Sequence, residues 1–343
     1  RWRVTDDLMI RASQSRNFRA PTLTQLFAPT NTVVSNAGVD PCDADRINSG
    51  PNPAVRRANC EAEWAANPAY GNLATFQDPA ENFSVTTVTT GGNANLENEI
   101  SDTTTFGFVY EPGFLPGLTL SVDRLEIDLT DGLVAFTTED FMAACYDNVD
   151  QPVEMCSAFT RLAAPDGTNP AGTVVEGRTT TVNAGRITFE GEVISAQYLV
   201  PLEDVFTSFD PGQLTLGLEA THTSSLTTSV VGATEERTDN TADTPDWSGR
   251  FDAIWTRGPV RLTYQLSYLD DVVAEANATI ESTPNPYLER NITHSISGAY
   301  EINADLTLRA GITNLTDEEP SYPSLSYGDI LGRRYFVGAN FRF

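Results

Sequence analysis

Lysine is missing from this chain of 343 residues: all 21 basic side chains are arginine. Basic charge is scarce altogether, against 47 acidic side chains and a net charge of −26. So acidic a surface repels phosphate backbones, which argues against nucleic acid as a partner. Histidine is limited to His222 and His294, and neither has a partner at catalytic or metal-binding spacing. There is no G-x-S-x-G, phosphate loop, H-E-x-x-H or C-x-x-C. The expectation is a protein without catalytic residues, metal or cofactor, and not an enzyme. No run of about 18 apolar residues exists, so no helix is available to cross a bilayer. No charged stretch leads into an apolar one as a signal peptide would. The opening Arg1-Trp2-Arg3-Val4 already reads as strand material, and the chain is expected to be a fragment without its N-terminal part.

Cysteine is sparse too, with four residues in two local pairs: Cys42 with Cys60 and Cys145 with Cys156. Each pair lies in a stretch rich in Pro, Asn, Asp and Gly. Four cysteines allow three connectivities, and the sequence-local one needs the least chain rearrangement. Even, loop-borne cysteines suit an oxidising compartment. The alternative is four separate buried thiols.

What the chain has in abundance is period two. Val260, Leu262, Tyr264, Leu266 and Tyr268 share one parity, with Arg261, Thr263, Gln265 and Ser267 on the other. Side chains alternate across a strand, so one face meets an apolar medium and the other a polar one. Leu214, Leu216 and Leu218 repeat the pattern, as do Leu306, Leu308, Ala310 and Ile312. So do Phe251, Ala253 and Trp255, although Ile254 is an exception. Tyr335, Val337, Ala339 and Phe341 close the series, with Phe336 breaking the polar face. Between Leu118-Leu120-Val122 and Leu125-Ile127-Leu129 the apolar parity switches. Either a bulge near Asp123-Arg124 or a strand continuing out of the membrane into water accounts for it.

Ten strands are expected, near 3–15, 103–111, 118–130, 186–200, 213–225, 248–257, 260–270, 290–300, 306–313 and 333–343. Several approach the 9–11 residues that cross a bilayer with tilt. Their connections alternate between short (112–117, 201–212, 258–259, 301–305) and long (16–102, 131–185, 226–247, 271–289, 314–332). Outer-membrane barrels segregate short periplasmic turns from long extracellular loops in this way. Tyr110, Tyr198, Trp255, Tyr300 and Phe343 all fall at the short-turn end, where an interfacial aromatic girdle belongs. The fold class is therefore all-β: an antiparallel transmembrane β-barrel, here a partial barrel.

Three stretches resemble the barrel of TonB-dependent outer-membrane receptors. The first is Ser15-Arg16-Asn17-Phe18-Arg19-Ala20-Pro21, similar to the family's S-x-x-F-R-A-P run at the mouth of a long loop. The second is Gly92-Asn93-Ala94-Asn95-Leu96-Glu97-Asn98-Glu99, similar to G-N-P-N-L-K-P-E but with Ala94, Glu97 and Asn98 replacing Pro, Lys and Pro. The third is Asn314-Leu315-Thr316-Asp317, then Gly332-Arg333-Arg334-Tyr335 and the terminal Phe343. The resemblance runs from end to end. It implies that residues 1–343 are the C-terminal portion of a receptor barrel of 22 strands, with the plug and earlier strands upstream. It further implies TonB as partner through the missing part, barrel-assembly machinery recognising the last strand through Phe343, a small nutrient ligand, and the bacterial outer membrane as location. Ferric siderophores, cobalamin-like molecules and oligosaccharides are all family options.

In this family the loops, inner wall and plug hold the ligand. The loop aromatics Trp64, Tyr70, Phe76, Trp247, Tyr287, Tyr322 and Tyr327 are candidates to stack on it, and self-packing of the loops is the alternative. Arg16 and Arg19 are candidates to face the lumen; structural pairing with the acidic excess competes. Asp40, Asp43, Asp45 and Asn48 form an oxygen-rich run of the kind that holds calcium; it lacks EF-hand spacing, and a solvated acidic loop tip is the favoured reading. A passive porin-type channel and a soluble secreted β-sandwich are the rival functions.

Overall fold

The computed structural model describes residues 1–79, 86–167, 169–230, 235–276, 278–280, 285–321 and 327–342. Its frame is ten long antiparallel strands: β1 (Leu8–Arg19), β2 (Glu99–Tyr110), β3 (Leu118–Phe136), β4 (Val174–Val200) and β5 (Gln213–Val230), then β6 (Trp247–Arg257), β7 (Val260–Leu269), β8 (Asn291–Asn303), β9 (Leu306–Thr313) and β10 (Arg334–Phe341). Each pairs with its neighbours in sequence, so the sheet is a meander with β1 near one edge and β10 at the other. All ten strands read from the sequence are present. The first is displaced: Trp2–Arg3 folds back antiparallel on Met9 and Ile10, and β1 runs to Arg19.

Register explains why the sheet is one membrane-type wall. Ile10 lies opposite Phe108, Phe108 opposite Val122, and Val122 opposite Ile194. Tyr198 lies opposite Leu216, Leu216 opposite Ala253, and Ala253 opposite Tyr264. Tyr264 meets Ile296, Ile296 meets Ile312, and Ile312 meets Tyr335. A one-residue slip anywhere would turn a strand's apolar set to the wrong face, so these alignments fix a single apolar band across ten strands. Among the described residues nothing packs over it as a second sheet would: Leu262 is 45% and Leu308 43% exposed. That removes the β-sandwich alternative, whose apolar faces must be buried. Tyr110, Tyr198, Trp255 and Tyr300 gather at the short-turn edge of the same face; Phe343 lies outside the described residues.

The parity switch in β3 is not a bulge. Its pairing with β2 is unbroken from Tyr110–Leu120 to Ile100–Thr130, so Leu125, Ile127 and Leu129 face away from the apolar band. The strand simply continues beyond the band, where the outward positions become Arg124, Glu126 and Asp128. Arg124 there reaches Glu190 and Glu192, both at 2.5 Å. Phe336, the apolar residue on the polar face, covers Gly311, whose backbone lies directly opposite. A side chain on Gly311 would collide with that ring, so the pair is complementary.

Short connections are built by local chemistry. Gly258, with φ +53°, turns the two-residue link from β6 to β7. The Asn303 side-chain oxygen accepts from the Asp305 and Leu306 backbone N–H groups, both at 2.9 Å, and closes the next one. The long connections hold helices that alternation could not reveal, notably α1 (Pro53–Ala66) and α2 (Thr138–Tyr146). Among the described residues no helix is long and apolar enough to cross a membrane.

Candidate functional site

The first two long loops fold into one lobe on the upper part of β4. Asn31–Ser35 pairs with Thr86–Thr90, which runs parallel to Glu176–Thr179 of β4. Pro53 starts α1, where a missing N–H costs nothing. Thr137 and Asp140 cap α2 reciprocally. Cys42 is bonded to Cys60, and Cys145 to Cys156, so each loop carries its own clip. Cys42, Ile47, Trp64, Phe76, Met142 and Tyr146 form the lobe's core.

Salt bridges then join the two loops. Arg56 of α1 holds Asp147 through two hydrogen bonds of 2.7 and 2.5 Å. Arg161, fully buried, grips both oxygens of Asp40 and donates to the Tyr146 hydroxyl at 3.0 Å and the Gly172 carbonyl at 2.7 Å. Its guanidinium lies 5.2 Å from the Trp64 ring, 5.3 Å from Tyr146 and 5.7 Å from Phe159. Burial alone would lower the Arg161 pKa, but Asp40 together with Tyr146 and Glu63 outweighs it and holds the cation well above its ordinary value. Burial also pushes the Tyr146 hydroxyl far up, so it stays protonated and donates to Glu63. The run at Asp40–Asn48 is only partly a solvated tip: Asp45 and Asn48 are exposed, but Asp40 anchors Arg161, and Asp43 is buried and accepts from the Asp45 and Asp78 backbones. The described residues contain no cluster able to hold a metal.

A cavity of about 560 Å³ opens beside this anchor, between α1 and the Cys145–Cys156 clip. Tyr70 and Phe159 present partly exposed aromatic faces, with Asn59, Gln151 and Ser157 as polar lining and Glu63 and Arg161 at its base. Below the lobe, the polar face of the sheet is a wall of hydroxyls. Ser121 and Ser195 are hydrogen-bonded at 2.8 Å. Thr119, Thr215, Gln197, Glu219 and Asp252 border a second recess of about 310 Å³. Arg11 is tied to Asp123 on the same face.

The expected site residues separate. Trp64 and Phe76 are each 5% exposed and serve the lobe's core. Tyr327 is buried against Val272 and Leu288 and donates to the Asp270 carbonyl. Trp247 lies on the outward parity, stacked 4.4 Å from His222. Tyr287 is exposed, and Tyr322 lies outside the described residues. Arg16 and Arg19 cannot both face the lumen. Arg16 has the parity of Ile10 and sits opposite Asp102, whereas Arg19 has the parity of Arg11 and binds Glu99. Among the described residues of this set, Tyr70 alone borders the lobe cavity. Sequence reading missed Asn59, Glu63, Phe159 and Arg161; the closeness of Phe159 and Arg161 to Cys156 was the one available signal.

The first nine of these strands and their loops carry a family signature: the TonB-dependent receptor-like β-barrel model matches residues 1–315. The chain belongs to the TonB-dependent receptor β-barrel family. None of the curated proteins matches it in sequence. Among solved structures it is similar to the ferric enterobactin receptor of Pseudomonas aeruginosa, with a TM-score of 0.57 and 15% identity over 99% of this chain and 39% of that one. It is also similar to the siderophore receptor PirA of Acinetobacter baumannii, with a TM-score of 0.58 and 13% identity over 99% and 40%. At such identities the likeness establishes the receptor-barrel fold. This receptor barrel thus spans about two fifths of the length of either relative.

Proposed function

We propose that this chain is the C-terminal part of an outer-membrane receptor that binds a scarce nutrient outside the cell and imports it with energy from TonB. The observation that supports this most directly is the family match along an amphipathic sheet whose polar face rises into a disulfide-clipped lobe. The apolar band would face lipid, and the hydroxyl wall would face a lumen filled by the upstream plug. The upstream part would contact TonB, and the last strand, with Phe343, would engage the assembly machinery. Binding and gated passage need no bond-making group, in keeping with a receptor rather than an enzyme. The ligand is a ferric siderophore, a cobalamin-like molecule or an oligosaccharide.

The test is uptake by cells carrying the full-length gene. Accumulation of the nutrient should require TonB and collapse with a protonophore. Entry that persists without either would favour the passive-channel reading.

A further inference from the structure

We infer that the lobe cavity between α1 and the Cys145–Cys156 clip binds a neutral, polyhydroxylated ligand, a short oligosaccharide, rather than an anionic iron chelate. The inference rests on the receptor reading and names the ligand class of the same site.

Charge decides against an anion. The described residues of 20–98 and 137–185, which build the lobe with the upper part of β4, carry 14 acidic and 5 basic side chains. Four of these bases are engaged: Arg161 by Asp40, Arg56 by Asp147, Arg57 by Glu61, and Arg46 by partners of its own; the fifth, Arg178, lies on β4 and does not line the cavity. A polyanionic ligand in the cavity would meet a repulsive field, with the lining's one cation already paired. A cation is no better served. The charged groups in the lining are Glu63 and Arg161, and they face each other at 3.6 Å.

The lining suits a sugar ring. Tyr70 and Phe159 offer apolar faces for the C–H surface of a pyranose, and both are braced from behind. Tyr70 packs edge-on to Trp64 at 5.2 Å, and Phe159 lies 5.9 Å from Tyr146. Asn59 spends both amide hydrogens on the Tyr146 and Asn148 carbonyls, each at 2.9 Å, so its own oxygen is left as a fixed acceptor. Gln151 and Ser157 add groups that donate and accept, as hydroxyls require. Gln151 is also held at φ +41°, a conformation that side-chain-bearing residues rarely adopt outside constrained sites. The volume lies within the range of small-molecule sites.

The experiment uses the full-length receptor purified in detergent. A panel of short neutral oligosaccharides of glucose, galactose, mannose or xylose is titrated calorimetrically, with a ferric triscatecholate as the anionic comparator. At least one oligosaccharide should bind, and the chelate should neither bind the lobe nor compete. Tyr70→Ala removes one stacking face and should weaken the sugar roughly tenfold. Ser157→Trp fills the cavity from an exposed position and should abolish binding while both disulfides still map correctly. The proposal is overturned if no panel member binds, if the chelate binds and Ser157→Trp blocks it, or if sugar binding ignores both substitutions. Those outcomes leave TonB-dependent uptake to be judged separately, so the receptor reading stands or falls on its own assay.

Discussion

Replacing Asp40 by Ala should open the extracellular lobe while leaving the barrel assembled. The reasoning starts from Arg161, whose side chain is 2% exposed and whose two-oxygen partner Asp40 is fully buried. Removing one member of a buried pair leaves an uncompensated charge and typically costs about 3–5 kcal/mol. The remaining contacts do not replace the lost charge: the Tyr146 hydroxyl and the Gly172 carbonyl still accept from the guanidinium but are neutral, and the nearest other carboxylate, Glu63, is 3.6 Å away. Lobe opening should become easier by that amount, which is on the order of a hundred- to a few-thousand-fold in the opening constant. Hydrogen exchange on the full-length receptor reads this directly, through amides of α1 and α2. Exchange in β5–β7, which make no contact with the pair, should stay unchanged. The double variant Asp40→Leu with Arg161→Met should recover much of the loss, because an apolar replacement of a buried pair is often near neutral. If α1 amides in Asp40→Ala exchange at the wild-type rate, the pair is not what closes the lobe.

Leu216→Arg should impair assembly of the full-length receptor, since Arg on the lipid face at mid-membrane costs about 2–4 kcal/mol, whereas Thr215→Arg on the polar face should be milder. Heat-modifiable migration on gels would show this, and equal tolerance at the two positions would refute the assigned faces. Replacing Cys42 and Cys60 together by Ala should destabilise the lobe by about 3 kcal/mol, seen as faster proteolysis between 31 and 98; unchanged proteolysis would mean the clip is idle. Burial, reinforced by Asp270, pushes the Tyr327 hydroxyl up to about 12. The unfolded chain loses that proton near pH 10, so the contribution of Tyr327 is fully present below pH 10 and is lost as pH rises towards 12. Tyrosinate absorbance should lose one late-titrating group in Tyr327→Phe while that of Tyr146 remains; an unaltered titration would contradict the burial.

The sheet was legible because a membrane wall leaves its mark residue by residue. Leu214-Leu216-Leu218 and Leu262-Tyr264-Leu266 each declare their own outward face, and any neighbour must align with it. The parity switch in β3 was legible as a switch but not as a cause. A bulge and a strand leaving the lipid produce the same letters, and only the unbroken pairing of Leu125 with Thr105 and of Asp128 with Asp102 separates them. The start of β1 was misplaced for a related reason: Trp2 and Arg3 have strand chemistry, and they are indeed paired, but as the return leg of a turn.

The lobe was far less legible, because its stability comes from pairings between segments far apart in sequence. Asp40 and Arg161 are 121 residues apart, and Arg56 and Asp147 are 91 apart, so no local pattern links them. Their absence from the reading had a direct consequence for the aromatics. Trp64 and Phe76 look like ligand platforms as long as the loops are taken to be open, and become core once Arg161 is seen to draw both loops around one buried charge. The same closure creates the cavity: with Trp64 and Tyr146 committed to the anchor, Tyr70 and Phe159 are left at the margin with one covered and one open side. A site of this kind follows from where the core stops. Composition alone cannot reveal it, since Tyr70 and Trp64 lie on the same loop and differ in that Trp64 is buried beneath Arg161 whereas Tyr70 is partly exposed at the cavity.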